Sequence, residues 1–517
     1  MPVALDRSEW RWAWGWALVG VIVACLPYLY AHFAAPSDQT FSGFLINVRD
    51  GNSYLAKMRQ GYDGAWLFRL PYTTEEQQGV FVYTLYLGLG HLARLIGLPL
   101  ILLYHTARAL GGLFLLLTVY RLAAELTPSV PARRWAFAIA AFGGGLAAVS
   151  LLSGRNHPES FVPIDLFVPE AVGFYSILVN PHFPLAFALM AWAILWTLRP
   201  PRDERWVGIG MAALTGAGFV MLAPFLAPIL WAAVGLPLVL SRPFNRPAFE
   251  RVIALASATG LFLLYYLWAQ RTDPAVAAWV AQNLTLSPPP LDYLLGFGLW
   301  LPFALVGLWR LAKLGFGDGS ASLTTSLGLS LPGWLAAVAA LVYFPYPLQR
   351  RFVGGLFIPL AALSGVALAW LFAQLKDRRW LRFACVLLVL LFGFHSNAIL
   401  LSVVFRALAT AAPAVYLTND EAAALRWLET RTTVADVVLA DERLGNFVPA
   451  WTPARVVYGH PMETIDFALK RAEVEAFYEG QDDGLPNRYR VRYIIGGSMP
   501  AGWRVAFESG NVKIYAR

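Results

Sequence analysis

Six ionisable residues stand in one stretch of an otherwise oily chain: Arg49, Asp50, Lys57, Arg59, Asp63 and Arg69 in "INVRDGNSYLAKMRQGYDGAWLFR" (46–69). A carboxylate such as Asp50 can act as a general base if it reaches the proton to be removed. "RDGNS" is equally good turn chemistry, so a plain turn stands beside that reading. "NSYLAKM" reads as a short helix, and a tight turn at Gly51 and Asn52 would expose the Asp50 carboxylate. Asp63, between glycines in "GYDGAW", reads as a turn residue. In "YPLQRRF", Arg350 and Arg351 carry guanidinium groups that form paired hydrogen bonds with phosphate, or that snorkel toward anionic headgroups. The stretch 153–183 holds His157, Glu159, Asp165, Glu170 and His182. These are metal-ligand types, but their spacing matches no metal motif, so no metal is assigned and any cofactor stays open. Asp165, Glu170 and His182 are candidate substrate contacts.

The elements that must position these groups follow from composition. Of 517 residues, 58% are hydrophobic and 14% charged, and the mean hydropathy is +0.55. Soluble domains average about 25% charged residues, so this chain is too poor in charge to be solvated all round. Apolar runs long enough to cross a hydrocarbon core recur over the first 408 positions. Continuous runs such as "ACVLLVLLFGF" and "GLFLLLTVY" lack the alternation of barrel strands, which makes the spans helices. The formal charge of +8 sits in short loops between apolar runs. That is a topology signal, not a nucleic-acid surface. Cys25 and Cys385 both lie inside apolar runs, so no disulfide framework is expected. The first run, 12–33, is too long for a signal-peptide core and reads as a retained helix.

Basic clusters orient the chain. They are Arg7 and Arg11, Arg133 and Arg134, Arg199 to Arg205 with Arg202 between, Arg242 to Arg251 with Arg246 between, Arg310 and Lys313, and the run Lys376 to Arg382. With all of them cytoplasmic, helices fall near 12–33, 103–124, 135–152, 182–198, 206–220, 221–240, 252–269, 295–311, 327–344, 354–374 and 381–406. About eleven crossings then leave the N-terminus inside and the C-terminus outside. Loops 34–102, 153–181 and 270–294 face out, as does the turn 343–352. The segment 80–99 is laid on the outer surface as an interfacial helix, with His91 and Arg94 near water. "GFGDGSAS" (315–322) is a Gly/Ser connector on the cytoplasmic side. From Pro413 the composition changes. Asn419 or Asp420 caps a helix in "NDEAAALRWLETRT", a second helix is expected near 463–478, and 435–441, 488–497, "WRVAFES" and "NVKIYAR" read as strands. The expected fold class is therefore an all-α polytopic membrane domain, 1–412, with a small extracytoplasmic α/β domain, 413–517.

This pattern resembles the membrane glycosyltransferases of the GT-C superfamily. The resemblance rests on a first helix, a long external loop with an early acid in "NVRDGNSYLAKMRQGYDGAW", an interfacial helix, and "RALGGLFLLLTVYRLAAEL" leading to a basic turn in "PARRW". The superfamily includes protein O-mannosyltransferases, the lipid A aminoarabinose transferase and oligosaccharyltransferase catalytic subunits. It covers roughly 12–406 in architecture. Many members carry two adjacent acids in the first loop, whereas Arg49 precedes Asp50 here. The resemblance implies transfer of a sugar from a polyprenyl-phosphate donor to an extracytoplasmic glycan, lipid or protein, with inversion at the anomeric carbon. It implies that Asp50 is the base or orients the acceptor, and that basic residues of other external loops, Arg350 and Arg351, hold the donor phosphate. It also places the chain in the plasma (inner) membrane, in contact with the bilayer and with no nucleic acid partner.

Two rival readings are a flippase or other transporter of lipid-linked glycans, and a GT-C scaffold that has lost catalysis. A transporter places ionisable residues near helix midpoints. The helices of this chain are nearly free of acids there, and its charges crowd into the loops.

Overall fold

The computed structural model describes residues 5–154, 163–199, 204–240, 244–314 and 326–517. His157, Glu159, Arg202, Arg242 and the 315–322 connector lie outside them. The chain forms two compact units. One comprises Met1–Cys25, Ala107–Tyr265 and Thr285–Val403; the other comprises Leu26–Thr106, Tyr266–Leu284 and Val404–Arg517.

The first unit is helical. Among the described residues, five helices are long and apolar enough to cross a membrane, or seven when each of two bent pairs counts as one span. They include α1 (Arg7–Phe33), Arg205–Leu222, Arg246–Thr272 and Gln349–Gln374. Three shorter apolar helices, His182–Leu198, Pro224–Leu240 and Leu327–Leu341, match three further expected segments. The segment expected as one helix over 135–152 is instead two, Val130–Phe142 and Ala147–Leu152, broken at the glycines 143–145. The spans expected at 295–311 and 381–406 are likewise bent, by 74° and 40°. These three breaks satisfy one another. Gly144 N–H donates to Gly393 O at 2.8 Å, Leu146 N–H to Leu295 O at 2.7 Å, and the Trp300 indole to Gly144 O at 2.7 Å. Backbone freed from a helix in an apolar setting needs such partners. Glycine is required at 145, where a Cβ would meet Gly296 O at 2.2 Å.

In the second unit the helices α2 (Val48–Tyr62) and α3 (Thr84–Ile96) pack through Leu55, Met58, Tyr86 and Ala93. At 13 residues, α3 rises only about 20 Å, short of a hydrocarbon core of about 30 Å. An antiparallel ribbon pairs β1 (Gln39–Phe41) with β2 (Tyr416–Thr418). The five-stranded sheet β4-β3-β5-β7-β6 is built from β3 (Val437–Leu439), β4 (Arg455–Val456), β5 (Tyr493–Ile495), β6 (Arg504–Ser509) and β7 (Val512–Ala516). β3 pairs in parallel with β4 and β5, and the remaining pairs are antiparallel. The period-2 alternation of β3 divides the core. Val438 faces Leu425, Leu428, Phe447 and Val448, whereas Val437 and Leu439 face Val474 and Phe477. Thr418, not Asn419 or Asp420, caps the Asn419–Glu429 helix, because Thr418 and Glu421 form a reciprocal capping box. The helix expected at 463–478 begins only at Phe467.

Candidate functional site

Asp50 lies in the first turn of α2, where the helix dipole favours a negative charge. The turn expected at Gly51 and Asn52 does not form, because the helix starts at Val48, after Asn47 in the left-handed region at φ 50°. Gly51 serves packing instead: a Cβ there would sit 2.4 Å from the Phe44 ring. The Asp50 side chain is 50% exposed, and its Oδ1 lies 3.1 Å from His460 Nε2, whose ring is 5% exposed. Arg49, the residue before it, points to Glu442 at 2.6 Å. Asp63 ends the same helix and pairs with Arg59 at 3.2 Å.

Behind Asp50, α2 is fastened to the chain's last hundred residues. Lys57 Nζ donates to Glu463 Oε1 at 2.6 Å and to the Ser53 hydroxyl, which itself donates to Glu463. The lysine lies over the Tyr83 ring at 4.3 Å. Burial would raise the Glu463 carboxyl, but the Lys57 ammonium, with help from the Ser53 hydroxyl, holds it below the usual range. Asn52 donates to Asn446 Oδ1 at 2.8 Å, and Tyr72 hydroxyl donates to Asn446 O at 3.0 Å. Buried polar groups with this many partners fix one arrangement of the helix against its neighbours.

Arg350 and Arg351 belong to the other unit, in the 3-10 turn Gln349–Val353. Arg350 N–H donates to Thr285 O at 3.0 Å, and Gln349 Oε1 accepts from Ser287 N–H at 3.2 Å. The Arg350 guanidinium lies over Phe167 at 5.0 Å and that of Arg351 over Phe225 at 5.7 Å. The Nε of Arg350 is buried, with no hydrogen-bond acceptor among the described residues. Glu170 acts electrostatically on Arg350, and its carbonyl accepts from Gly355 N–H at 3.0 Å. His182 opens the His182–Leu198 helix, its ring 4.1 Å from that of Phe183.

Asp165 is fully buried in the short helix Ile164–Phe167, in the same unit. Its Oδ2 accepts from Gly145 N–H at 2.9 Å and from the Ser396 hydroxyl, joining two of the helix breaks. Burial pushes its carboxyl up to about 6, against the pull of Ser396 and Gly145.

Sequence reasoning passed over His460, Glu463 and Arg108. The first two stand in "GHPMETID", which carries no local signal beyond a turn before a helix. Arg108, buried within α4 (Leu100–Leu126), donates to the carbonyls of Ile177 and Leu178 at 2.8 and 3.2 Å. It thereby satisfies carbonyls at the end of the Gly173–Val179 helix. A groove of about 590 Å³ opens elsewhere in the second unit, at the carboxyl ends of β3 and β5, lined by Asp441, Arg443, Tyr458, Tyr478 and Gly496 among others. It does not include Asp50. Among the described residues, no three His, Cys, Asp or Glu side chains group as metal ligands.

No protein-family model and no curated protein matches the chain. Solved structures do. The crystal structure of ArnT from Cupriavidus metallidurans in the apo state is 13% identical, at a TM-score of 0.50, over 97% of this chain and 98% of that one. The crystal structure of ArnT from the same organism bound to undecaprenyl phosphate is 14% identical, with the same score and coverage. The likeness spans nearly the whole of both chains, and it gives this protein the fold of ArnT.

Proposed function

We propose that the protein is a membrane glycosyltransferase that moves a sugar from a polyprenyl-phosphate donor to an extracytoplasmic acceptor, with Asp50 as general base. The observation that carries this reading is Asp50 itself: a half-exposed carboxylate in the first helical turn of the long first loop, hydrogen-bonded to a buried histidine. The fold supports it, since one ArnT structure of the same architecture holds undecaprenyl phosphate. In the proposed reaction an acceptor hydroxyl attacks the anomeric carbon. The bond from that carbon to the phosphate oxygen breaks, and the acceptor proton passes to Asp50. Polyprenyl phosphate leaves with the bonding electrons, its charge met by Arg350 and Arg351.

In this reading Arg350 supplies the stronger contact, because its buried Nε has no acceptor among the described residues. Glu170, which acts electrostatically on Arg350, and His182 stand as polar substrate contacts. Asp165, fully buried, supports the helix breaks that shape this region. The protein resides in the plasma (inner) membrane, with the N-terminus cytoplasmic and the 413–517 domain outside.

The test is sugar transfer by the purified protein from a panel of undecaprenyl-phosphate-linked pentoses and hexoses. Loss of a general base costs about 10²- to 10⁴-fold in rate. Asp50→Asn should lose that much while Asp63→Asn keeps most of its turnover. Full activity in Asp50→Asn, or no transfer by the wild type from any donor, refutes the assignment.

A further inference from the structure

Asp50 takes its bond from a residue 410 positions later, and the geometry of that residue is tightly defined. His460 Nδ1 lies 3.2 Å from Met462 N–H, which can only donate. Nδ1 is therefore the unprotonated nitrogen, and the proton sits on Nε2, facing Asp50 Oδ1 at 3.1 Å. The surrounding turn leaves the ring little freedom. Glu463 and Thr464 N–H both donate to His460 O, at 3.1 and 2.8 Å. Thr464 Oγ1 accepts from Gly459 and His460 N–H, each at 3.3 Å. The Tyr72 ring stands 5.6 Å away. Three residues on from His460, Glu463 grips Lys57 and Ser53, which lie on the same helix as Asp50. Turn and helix are thus fastened at two points, and the imidazole is the one aimed at the exposed carboxylate.

We infer that His460 is a positioning residue for Asp50. Its Nε2–H holds the carboxylate in one rotamer and engages Oδ1, so that the acceptor proton meets a base of fixed orientation. This rests on the reading of Asp50 as the base. It gives the C-terminal domain a direct part in the chemistry, with its histidine touching the base and not the substrate.

Two substitutions separate positioning from mere support of the turn. His460→Asn keeps an acceptor near the Nδ1 position for Met462 N–H but is too short to reach Asp50. His460→Gln can place an amide N–H near the Nε2 position. Outer partners of metal-ligating side chains are typically worth about 10- to 100-fold, and an orienting bond to Asp50 is expected to be of that order. His460→Asn should fold like the wild type, lose kcat by that factor and leave donor and acceptor KM nearly unchanged. His460→Gln should recover most of the rate. Combined with Asp50→Asn, His460→Asn should add no further loss. In ¹⁵N-histidine spectra of the full-length protein, His460 should show the Nε2–H tautomer, with its Nε2 proton signal moved by Asp50→Asn. Equal activity of His460→Asn and wild type, losses that multiply with those of Asp50→Asn, or the Nδ1–H tautomer would each overturn the proposal. An active Asp50→Asn protein removes the base assignment and this inference with it, an outcome distinct from a slow Asp50→Asn beside an unimpaired His460→Asn.

Discussion

Lys57 on α2 and Glu463 in the 459–464 turn, 406 residues apart in sequence, meet at 2.6 Å with the lysine side chain fully buried. Removing one member of such a pair leaves a buried charge uncompensated and costs about 3–5 kcal/mol. Lys57→Met and Glu463→Gln should each lower the unfolding midpoint of the detergent-solubilised protein markedly. Lys57→Met combined with Glu463→Leu should recover much of that loss, since two apolar side chains can replace a buried pair. Single variants as stable as the wild type would show that water reaches the pair.

Arg350 and Arg351 make a separate prediction about the donor. Hydrogen bonds to charged groups contribute about 1.5–3 kcal/mol each. Replacing both with Gln should raise the apparent donor KM more than tenfold or abolish transfer, without unfolding the protein. Arg350→Gln alone should be the more damaging single change. Unaltered donor dependence in the double variant would reduce the pair to lipid-headgroup anchors.

Asp165 makes stability depend on pH in an unusual direction for an acid. Its folded-state value, about 6, stands above the ordinary aspartate value of 3.8. Between those limits the unfolded chain gives up its proton while the folded one keeps it. The stabilisation is thus complete below about pH 4 and lost as pH rises to about 6. Across that window the loss amounts to roughly 3 kcal/mol. Thermal unfolding midpoints of the wild type, measured against Asp165→Asn, should fall across this window and run parallel above it. A difference that grows with pH would mean that Asp165 is ionised in the fold.

Topology is tested by chemistry at an exposed loop of the C-terminal domain. A cysteine at Asp482, with Cys25 and Cys385 replaced by Ala, should react with a membrane-impermeant thiol reagent in intact cells. Labelling only after lysis would put the domain, and Asp50 with it, on the cytoplasmic side.

Much of the architecture was legible because hydrophobic length and charge clustering are local signals. The spans at 182–198, 206–220 and 354–374 correspond to observed helices within a few residues, as do strands β6 and β7. The helix breaks were not legible. Glycines 143–145 stand inside an unbroken apolar run, and what stops the helix is the close approach of the 295–296 backbone, a tertiary fact. The candidate site divides in the same way. Asp50 could be singled out from its loop, but the side chain that orients it lies 410 residues away, in a turn whose composition announces nothing. Asp165 stood in a polar loop by sequence, yet its hydrogen bonds to Gly145 and Ser396 place it in the interior.

The span between α2 and its partners also sets a schedule for biosynthesis. Asp50 and Lys57 emerge from the ribosome some 400 residues before His460 and Glu463. At about 5–20 residues per second that is an interval on the order of 20–80 s. Throughout it, α2 lacks the Glu442, Asn446, His460 and Glu463 contacts that hold it in the finished protein. A nascent chain therefore carries an α2 helix without its late-made partners, and its final packing is gated by completion of the C-terminus. Chains stopped before residue 442 should be cut by protease within 48–62, where the full-length protein resists.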